Sequence, residues 1–156
     1  MLGVLLLAAY VLVDLSSEPA SPQRHILEVN DVTQLNPVTV GKVIQPTNTP
    51  EIIDAIKSTQ GPISIGGGKN SQGGQTTYPD SLHIDMRKFN KVIELNVQDK
   101  LVTVQSGIRW RQLQEQIDKH DLSVKIMQTY ANFTVGGSLS VNVHGRYVGE
   151  GPMIRS

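Results

Sequence analysis

One stretch decides the fold of this chain: Pro62-Ile-Ser-Ile-Gly-Gly-Gly-Lys-Asn-Ser-Gln-Gly-Gly-Gln75. It begins with a short alternating apolar run, Ile63–Ile65, which predicts a β-strand. Five glycines then fall within the nine residues from Gly66 to Gly74, and this composition disfavours both helix and strand. Successive backbone N–H groups in such a turn form a concave nest for anions, typically phosphate oxygens. The stretch therefore predicts either a phosphate-binding loop or a flexible surface loop.

The size and charge of the chain limit the possible classes of protein. Its 156 residues suffice for one domain with a hydrophobic core but not for a large two-domain enzyme. Lys plus Arg and Asp plus Glu both number 14, so a nucleic-acid partner has little support. The chain has no Cys, which excludes disulfides, thiolate metal sites and a Cys nucleophile. No metal is expected, because the four histidines lack ligand spacing: His25, His83, His120 and His144.

The N-terminal segment Met1–Val13 is almost wholly apolar. It is too short to span a bilayer, which takes about 20 residues, and it matches the apolar region of a signal peptide. However, no Lys or Arg precedes it and no clear cleavage site follows. Export to the periplasm, membrane association and a cytoplasmic location all stay open. Ser16–Gln23 is typical of a linker, so we predict an N-terminal segment at 1–35 and a folded domain at 36–156.

A compact β-α-β unit leads into the glycine-rich stretch. Val38–Ile44 is predicted to be a strand, and a helix is predicted to follow it with Thr49 as N-cap and Pro50 in its first turn. Ile52, Ile53, Ala55 and Ile56 give this helix an apolar face. Gly61 and Pro62 end it, just before the strand Ile63–Ile65.

Downstream, the patterns predict strands, one helix and a second glycine-rich loop. Trp110 is expected to lie in the core of that helix rather than against a ligand. The predicted elements are the strand Leu82–Met86, the hairpin strands Val92–Asn96 and Leu101–Gln105, the helix Trp110–His120, the strand Leu122–Ile126, and the loop Thr134–Arg146.

Two common nucleotide-binding motifs fail in the first loop. A P-loop needs Gly-x4-Gly-Lys-Ser/Thr, but position 63 is Ile and position 70 is Asn. A dinucleotide fingerprint of the doubly wound type needs its glycines to open a helix, and Gln75-Thr-Thr-Tyr-Pro-Asp80 does not start one. What remains is a non-helical phosphate cradle, with a second loop that suits a pyrophosphate clamped from two sides.

The two loops and the segments between them resemble one family of flavoproteins. The first loop looks like the first FAD-binding loop of the vanillyl-alcohol oxidase / p-cresol methylhydroxylase-type (PCMH-type) flavoproteins. Leu82–Met86 resembles the strand that follows it, Val102–Trp110 resembles the segment V-x-V-x-x-G-x-x-W, and Thr134–Arg146 resembles the second flavin loop. The likeness covers residues 36–156 and is greatest to bacterial FAD-dependent oxidoreductases related to aldonolactone oxidases. It implies an α+β, PCMH-type FAD-binding domain, with a β-α-β subdomain and the start of a second mixed-sheet subdomain.

The resemblance implies which residues bind the cofactor. In the first loop, backbone N–H groups and the Ser71 hydroxyl would wrap the FAD pyrophosphate, and the last two residues would close the loop: Gly66, Gly67, Gly68, Lys69, Asn70, Ser71, Gly74 and Gln75. In the second loop, three residues would approach the cofactor and three would lie further along: Gly136, Gly137, Ser138, Asn142, His144 and Gly145. The residues alone allow other roles for two of these positions: Lys69 as a solvated side chain and His144 as a turn residue.

The chain departs from the family in two respects. Many relatives have a His that bonds covalently to the flavin, where this chain has Asn70; an amide cannot form that bond, so we expect noncovalent FAD. In addition, the family's substrate-binding cap domain follows the FAD domain, and 156 residues do not include it. Catalytic residues are therefore unknown, and we expect an incomplete domain that is inactive alone.

Three functions remain after this reasoning. The first is the FAD-binding portion of an oxidoreductase that passes a hydride from an alcohol, sugar or lactone-type substrate to flavin N5. The second is an inactive remnant or interaction module that keeps half of the fold. The third is an unrelated phosphate-binding domain. FAD and the substrate of the full-length enzyme are the only expected partners, and flavin binding separates the first function from the other two.

Overall fold

The computed structural model of the protein describes residues 27–146 and 149–152. The apolar segment Met1–Val13, the predicted linker Ser16–Gln23 and His25 lie outside the described residues. The role of the apolar segment as a signal or an anchor therefore stays a prediction. Among the described residues, no helix has the length and apolar character needed to cross a membrane.

A three-stranded parallel sheet forms the first half of the fold. Its strands are β3 (Lys42–Ile44), β4 (Ile63–Gly66) and β5 (Leu82–Asp85). The strand order is β3-β5-β4, so β5 lies between the two strands of the predicted β-α-β unit and pairs with both. All four residues of β5 are buried. The predicted strand at 82–86 is confirmed except at Met86, which opens a 3₁₀ turn.

The prediction of one strand over Val38–Ile44 is wrong, because the chain changes sheets in its middle. β2 (Val38–Thr39) pairs antiparallel with β1 (Glu28–Val29), and β3 begins only at residue 42. Gly41 lies at the break, where a Cβ would come within 2.7 Å of the Asp80 carbonyl oxygen. Close backbone approach therefore requires glycine here. The predicted domain boundary at residue 36 stays a prediction, although the β1–β2 hairpin starts upstream of it.

Helix α1 (Thr49–Ser58) begins one residue before the sequence pattern suggests. Its N-cap is Asn48, whose side-chain oxygen accepts a hydrogen bond from the Glu51 N–H at 3.0 Å. The assignment of Thr49 as the cap is therefore wrong: both residue types favour this position, and Pro50 tolerates either of the first two helical positions.

Only part of the apolar face of α1 is covered. Ile52 and Ala55 pack against the buried side chains of β5 and the following turn. Ile53 and Ile56 point away from this cluster and are 43% and 47% exposed. The helix consequently has no fully buried residue.

The second half of the fold is a hairpin packed with one helix. Strands β6 (Val92–Asn96) and β7 (Leu101–Val104) pair antiparallel, as predicted. Helix α2 (Trp110–Ile117) follows and continues as a 3₁₀ turn, Asp118–His120. The predicted apolar face of this helix is confirmed by its buried residues, and Trp110 is a core residue that is 4% exposed. The core contains Ile108, Trp110, Leu113, Ile117, Ile126 and Val135.

The predicted strand Leu122–Ile126 is absent from the described structure. The side chain of Gln114 on α2 takes over the hydrogen bonds that a neighbouring strand would supply. It donates to the Leu122 carbonyl at 3.0 Å and accepts from the Val124 N–H at 3.2 Å. The apolar residues of the segment still pack against the core. Their alternating pattern therefore indicates burial rather than pairing with another strand.

The predicted second glycine loop begins as a short helix, α3 (Val135–Ser140). Thr134 is its N-cap and accepts from the Gly137 N–H at 3.3 Å. Glycine weakens helices by roughly 1 kcal/mol per residue, so the sequence favours a loop. Here tertiary packing decides instead: a Cβ on Gly136 would lie 2.7 Å from the Ser106 Cβ, and only glycine lets α3 approach this closely.

Candidate functional site

A cleft of about 480 Å³ opens between the first glycine loop, Gly66–Gln75, and helix α3. The two walls touch at one end. A Cβ on Gly67 would collide with the Thr134 hydroxyl oxygen, and a Cβ on Gly68 would lie 3.5 Å from the Asn132 carbonyl oxygen. The absence of side chains at 67 and 68 therefore allows the loop to close on the segment that precedes α3.

The cleft brings together most of the residues selected from the sequence. Those that line it are Gly66, Gly67, Gly68, Lys69, Asn70, Ser71, Gln75, Gly136, Gly137 and Ser138. Those that do not line it are Gly74, Asn142, His144 and Gly145.

The four residues outside the cleft have other surroundings. The Gly74 carbonyl accepts from the Thr77 N–H at 3.1 Å, which makes it a turn residue. Asn142 is exposed and has a positive φ of 48°. The exposed His144 ring has its Nδ1 3.2 Å from the carbonyl oxygen of Gly145. Gly74 and Asn142 thus lie in turns, and His144 and Gly145 lie in an irregular segment beyond α3.

The glycine loop carries a run of unused hydrogen-bond donors. The backbone N–H groups of Gly67, Gly68, Lys69, Asn70 and Ser71 donate to no acceptor within residues 27–146 and 149–152. The side chain of Asn70 folds back, and its Nδ2 donates to the Gly68 carbonyl at 3.1 Å. Half-buried N–H groups without partners cost free energy unless a ligand or water accepts from them. This wall of the cleft is therefore a site for an acceptor-rich, anionic group.

The opposite wall has its donors already engaged. The Gly136 N–H donates to the Ser106 carbonyl at 2.8 Å, and the Gly137 N–H donates to the Thr134 hydroxyl. The Ser138 N–H donates to the Thr134 carbonyl. This wall therefore presents glycines without side chains to the cleft, but it offers no second set of free N–H groups.

The Ser138 hydroxyl is also committed to the protein. It accepts a hydrogen bond from Trp110 Nε1 at 2.9 Å and donates to Gln128 Oε1. Ser138 is only 2% exposed. The bond satisfies the indole N–H, which a buried Trp requires, and it joins α2 to α3.

One positively charged side chain lies on the free-donor wall. Lys69 lines the cleft with a left-handed backbone, at a φ of 61°. Burial lowers the pKa of Lys69, and the nearby charge of Arg87 lowers it further, against the opposing effect of Asp85. A bound anion would offset this desolvation and repulsion.

The buried Asp85 forms an ion pair with the half-exposed Arg87, and both charges act on Lys69. Arg87 Nε donates to Asp85 Oδ1 at 2.8 Å, and Gln45 Nε2 donates to Asp85 Oδ2 at 2.9 Å. Burial acts to raise the pKa of Asp85, but these hydrogen bonds outweigh it and lower the pKa to about 2. Because Asp85 neutralises Arg87, Lys69 supplies the net positive charge of this wall.

A buried histidine lies beneath the start of the loop. His83 is 1% exposed, and its Nδ1 is 2.9 Å from the Ser64 hydroxyl oxygen. Its Nε2 has no hydrogen-bond partner among the described residues and lies 3.1 Å from where a Cβ on Gly66 would be. Burial lowers the pKa of His83; Asp85 acts to raise it, and Lys69 and Arg87 lower it further. The ring is therefore neutral at pH 7.

Sequence reasoning missed the remaining lining residues. The polar ones are Thr76, Ser106, Gln128, Thr134 and Ser140, and the apolar ones are Ile65, Met86, Phe133 and Val141. Ile65 and Val141 are 58% and 67% exposed. The only local signal for any of them was Thr134, a good N-cap residue just before an apolar position. In the described part of the chain, no group of three His, Asp or Glu side chains is placed to hold a metal.

A donor-rich loop that faces a helix across a cleft suits a ligand with anionic, acceptor-rich groups. Comparison with known proteins identifies the family. Residues 40–155 match the model of the FAD binding domain. The chain therefore belongs to the FAD-binding domain family. The α+β fold of an incomplete PCMH-type domain and the oxidoreductase family inferred from the two loops are both confirmed.

The relatives include oxidases and dehydrogenases. The chain is 28% identical over 110 residues to L-gulonolactone oxidase of Mus musculus, covering 69% of this chain and 25% of that protein. It is 30% identical over 114 residues to decaprenylphosphoryl-beta-D-ribose oxidase of Mycolicibacterium smegmatis, covering 69% and 24%. The chain thus spans about a quarter of the length of these relatives.

A solved structure supports the fold. Cholesterol oxidase from B. sterolicum superimposes with a TM-score of 0.64 at 15% identity, covering 76% of this chain and 24% of that chain. At this identity the likeness concerns the fold alone. It matches the arrangement derived from the strand order and the hairpin.

Proposed function

We propose that this chain binds FAD noncovalently in the cleft, as the cofactor-binding part of an oxidoreductase that acts on a sugar-derived lactone or alcohol. The observation that carries the proposal is the run of free N–H groups from Gly67 to Ser71. Phosphate oxygens accept from such a run, and the positive charge of Lys69 favours the same ligand.

The residues present fit the cofactor in three respects. The glycine loop offers free donors to the pyrophosphate. The opposite wall, at Gly136 and Gly137, has no side chains to obstruct a flat ring system. Ile65, Phe133 and Val141 supply apolar surface at the same cleft, and their exposure leaves that surface available to a ligand. Bound FAD would supply the hydride acceptor, while the protein binds and orients it.

Asn70 supports noncovalent attachment. Its side chain is an amide, which cannot form the bond that a histidine makes in many relatives, and its Nδ2 is engaged with the Gly68 carbonyl. In this arrangement Asn70 stabilises the loop internally. We propose that the flavin is held by hydrogen bonds and packing alone.

The substrate class follows from the relatives. The chain's matches include enzymes named for gulonolactone, arabinonolactone and galactonolactone, which favours a sugar lactone over a sterol. The chain spans 25%, 14% and 18% of these three proteins, so oxidation of the substrate is proposed for the whole protein that contains this domain.

Reconstitution tests the proposal. The purified chain is incubated with FAD, passed through a desalting column and examined for visible flavin absorbance. We expect the colour to stay with the protein, and acid precipitation to release it into the supernatant. Colour that stays in the acid pellet would contradict noncovalent attachment, and equal affinity for FAD and for unrelated nucleotides would contradict a flavin site.

A second function has one observation in its favour. Several apolar side chains on the strands are exposed, among them Ile63 at 40%, Ile93 at 61% and Leu101 at 66%. Such surface marks an interaction site and suits an inactive module that uses half of the fold for binding. Absence of flavin binding, together with reversible self-association through this surface, would favour the module over the flavin domain.

A further inference from the structure

The loop that joins β1 and β2 is hydrogen-bonded to the glycine loop. This connection, Asn30–Pro37, is called the N-terminal clasp here. The β1–β2 hairpin pairs Val29 with Val38, so the clasp is a hairpin loop with a fixed base. It lies upstream of residues 40–155, which match the family model, and the sequence analysis assigned all but its last two residues to the N-terminal segment.

The clasp holds the glycine loop at two points. The Val32 N–H donates to the Lys69 carbonyl at 2.9 Å. The Gly73 N–H donates to Asp31 Oδ2 at 3.0 Å. The residues between these points include Asn70 and Ser71, whose N–H groups are free. The clasp therefore holds the chain on either side of Asn70 and Ser71, the last two residues of the run that carries the unused donors.

Asp31 is the centre of the clasp. It is 4% exposed, and its Oδ1 accepts from the Thr33 N–H at 2.8 Å and from the Thr33 hydroxyl. Its Oδ2 accepts from Asn36 Nδ2 at 2.8 Å as well as from Gly73. Accepting at both oxygens requires a carboxylate, because all of these groups are donors. The Thr33 hydroxyl bond acts most strongly to lower the pKa of Asp31, and together with the other bonds it outweighs the opposing effect of burial.

One of the two anchored residues, Lys69, has a backbone conformation that needs external support, whereas glycine adopts a positive φ without strain. Lys69 has a φ of 61° and Gly73 a φ of 146°, and a non-glycine residue with positive φ is uncommon. Gly74 adds a contact, since a Cβ there would lie 3.5 Å from the Asn36 Cβ. Without the clasp, the loop would relax toward conformations that turn its N–H groups to solvent or to its own carbonyls.

We propose that Asp31 is a positioning residue that preorganises the glycine loop for phosphate binding. This inference rests on the proposed function of the cleft. Fixing the loop before binding removes the ordering cost that a flexible loop pays on binding. Asp31 acts through Gly73 and the clasp rather than by touching the cofactor.

Asp31→Asn tests the inference with almost no change in shape. An amide keeps one acceptor oxygen, but its nitrogen cannot accept from Gly73 or Asn36. Hydrogen bonds to charged groups are among the stronger ones in proteins, so we expect FAD to bind about tenfold more weakly or worse. The matched control is Asp54→Asn, the same change at an exposed site on α1; we expect its affinity to equal that of the wild type.

Amide hydrogen exchange separates positioning from general destabilisation. In Asp31→Asn without FAD, peptides from residues 66–77 should exchange faster while peptides from β5 and α2 stay protected. Unchanged exchange in the loop together with unchanged FAD affinity would overturn the proposal. Uniformly faster exchange across the chain would also overturn it, because it would assign Asp31 to global stability.

A second variant covers the case in which Asp31→Asn does not fold. Thr33→Val removes one donor to Asp31 and keeps the side-chain shape. Faster exchange in the loop and weaker FAD binding should therefore appear in milder form. Exchange in the loop and FAD affinity equal to those of the wild type would count against the clasp. If the wild type itself binds no FAD, the proposed function fails. Exchange in the loop still decides whether the clasp orders it.

Discussion

Gly67→Ala tests the contact that closes the glycine loop on the opposite wall. A Cβ at position 67 would collide with the hydroxyl of Thr134, which is 3% exposed and caps α3. Overpacking of this kind costs about 1–3 kcal/mol, and a displaced N-cap costs about 1 kcal/mol. We expect the free energy of unfolding to fall by about 2 kcal/mol, near the middle of the overpacking range.

Urea unfolding followed by the fluorescence of the single Trp measures this change, since Trp110 bonds to Ser138 on α3. Thermal unfolding should shift down by roughly 4–8 °C for a chain of this size. Gly61→Ala is the matched control, because nothing lies within 4 Å of a Cβ there. Its effect should stay within about 0.5 kcal/mol.

A double-mutant cycle shows whether Thr134 is the cause. Thr134→Ala alone should cost about 1 kcal/mol through the lost cap. In that background the hydroxyl is gone, so Gly67→Ala should cost much less than in the wild type, with a coupling of at least about 0.5 kcal/mol. An equal cost in both backgrounds would refute the reasoning. FAD affinity should follow the same pattern, because the displaced loop carries the free donors.

Three further outcomes are expected. Burial lowers the pKa of His83 below the ordinary 6.5, so the unfolded state takes up a proton first, and the stability is full above pH 6.5 and falls below it by up to about 1.4 kcal/mol per pH unit. The urea midpoint of His83→Gln should lack this loss. A His83→Gln midpoint that falls with pH in parallel with the wild type would count against the assignment. Leu113→Ala, at a side chain that is 2% exposed, should cost about 2–5 kcal/mol in urea unfolding, while Leu101→Ala, at 66% exposure, should cost less than about 0.5 kcal/mol. Lys69→Gln should weaken FAD binding several-fold at low salt and reduce its salt dependence in titrations, and an unchanged affinity would remove Lys69 from the site.

The features that the sequence predicted correctly are those that local chemistry decides. Glycine clusters disfavour regular structure wherever they stand, so the loop after Ile65 was predictable from composition. The hairpin at 92–104 was predictable because alternation and a polar turn are both short-range signals. Trp110 was assigned to the core because its helix has an apolar face at the right spacing.

The features that the sequence did not predict depend on distant partners. Asp31 lies 42 positions from Gly73, and nothing near Asp31 indicates that its carboxylate holds a loop. Helix α3 contains glycines that disfavour a helix; Gly136 is explained by its close approach to Ser106, and Gly137 by its close approach to the Thr134 hydroxyl. The strand predicted at 122–126 failed because the Gln114 side chain satisfies its backbone groups. In each case a tertiary contact overrides local propensity.

The hydrogen bonds show that the two walls of the proposed pyrophosphate site are not equivalent. By composition the first glycine loop and the segment 134–146 are alike, since both combine glycines with small polar residues. Their hydrogen bonds differ: the donors at 67–71 are free, whereas those of Gly136 and Gly137 are engaged with Ser106 and Thr134. If the cleft binds FAD as proposed, the first wall supplies hydrogen bonds to the pyrophosphate and the second allows the cofactor to approach closely. A substitution that adds bulk at Gly137 should obstruct the ring system without altering phosphate affinity, whereas loosening the first loop should weaken phosphate binding while the shape of the second wall is kept.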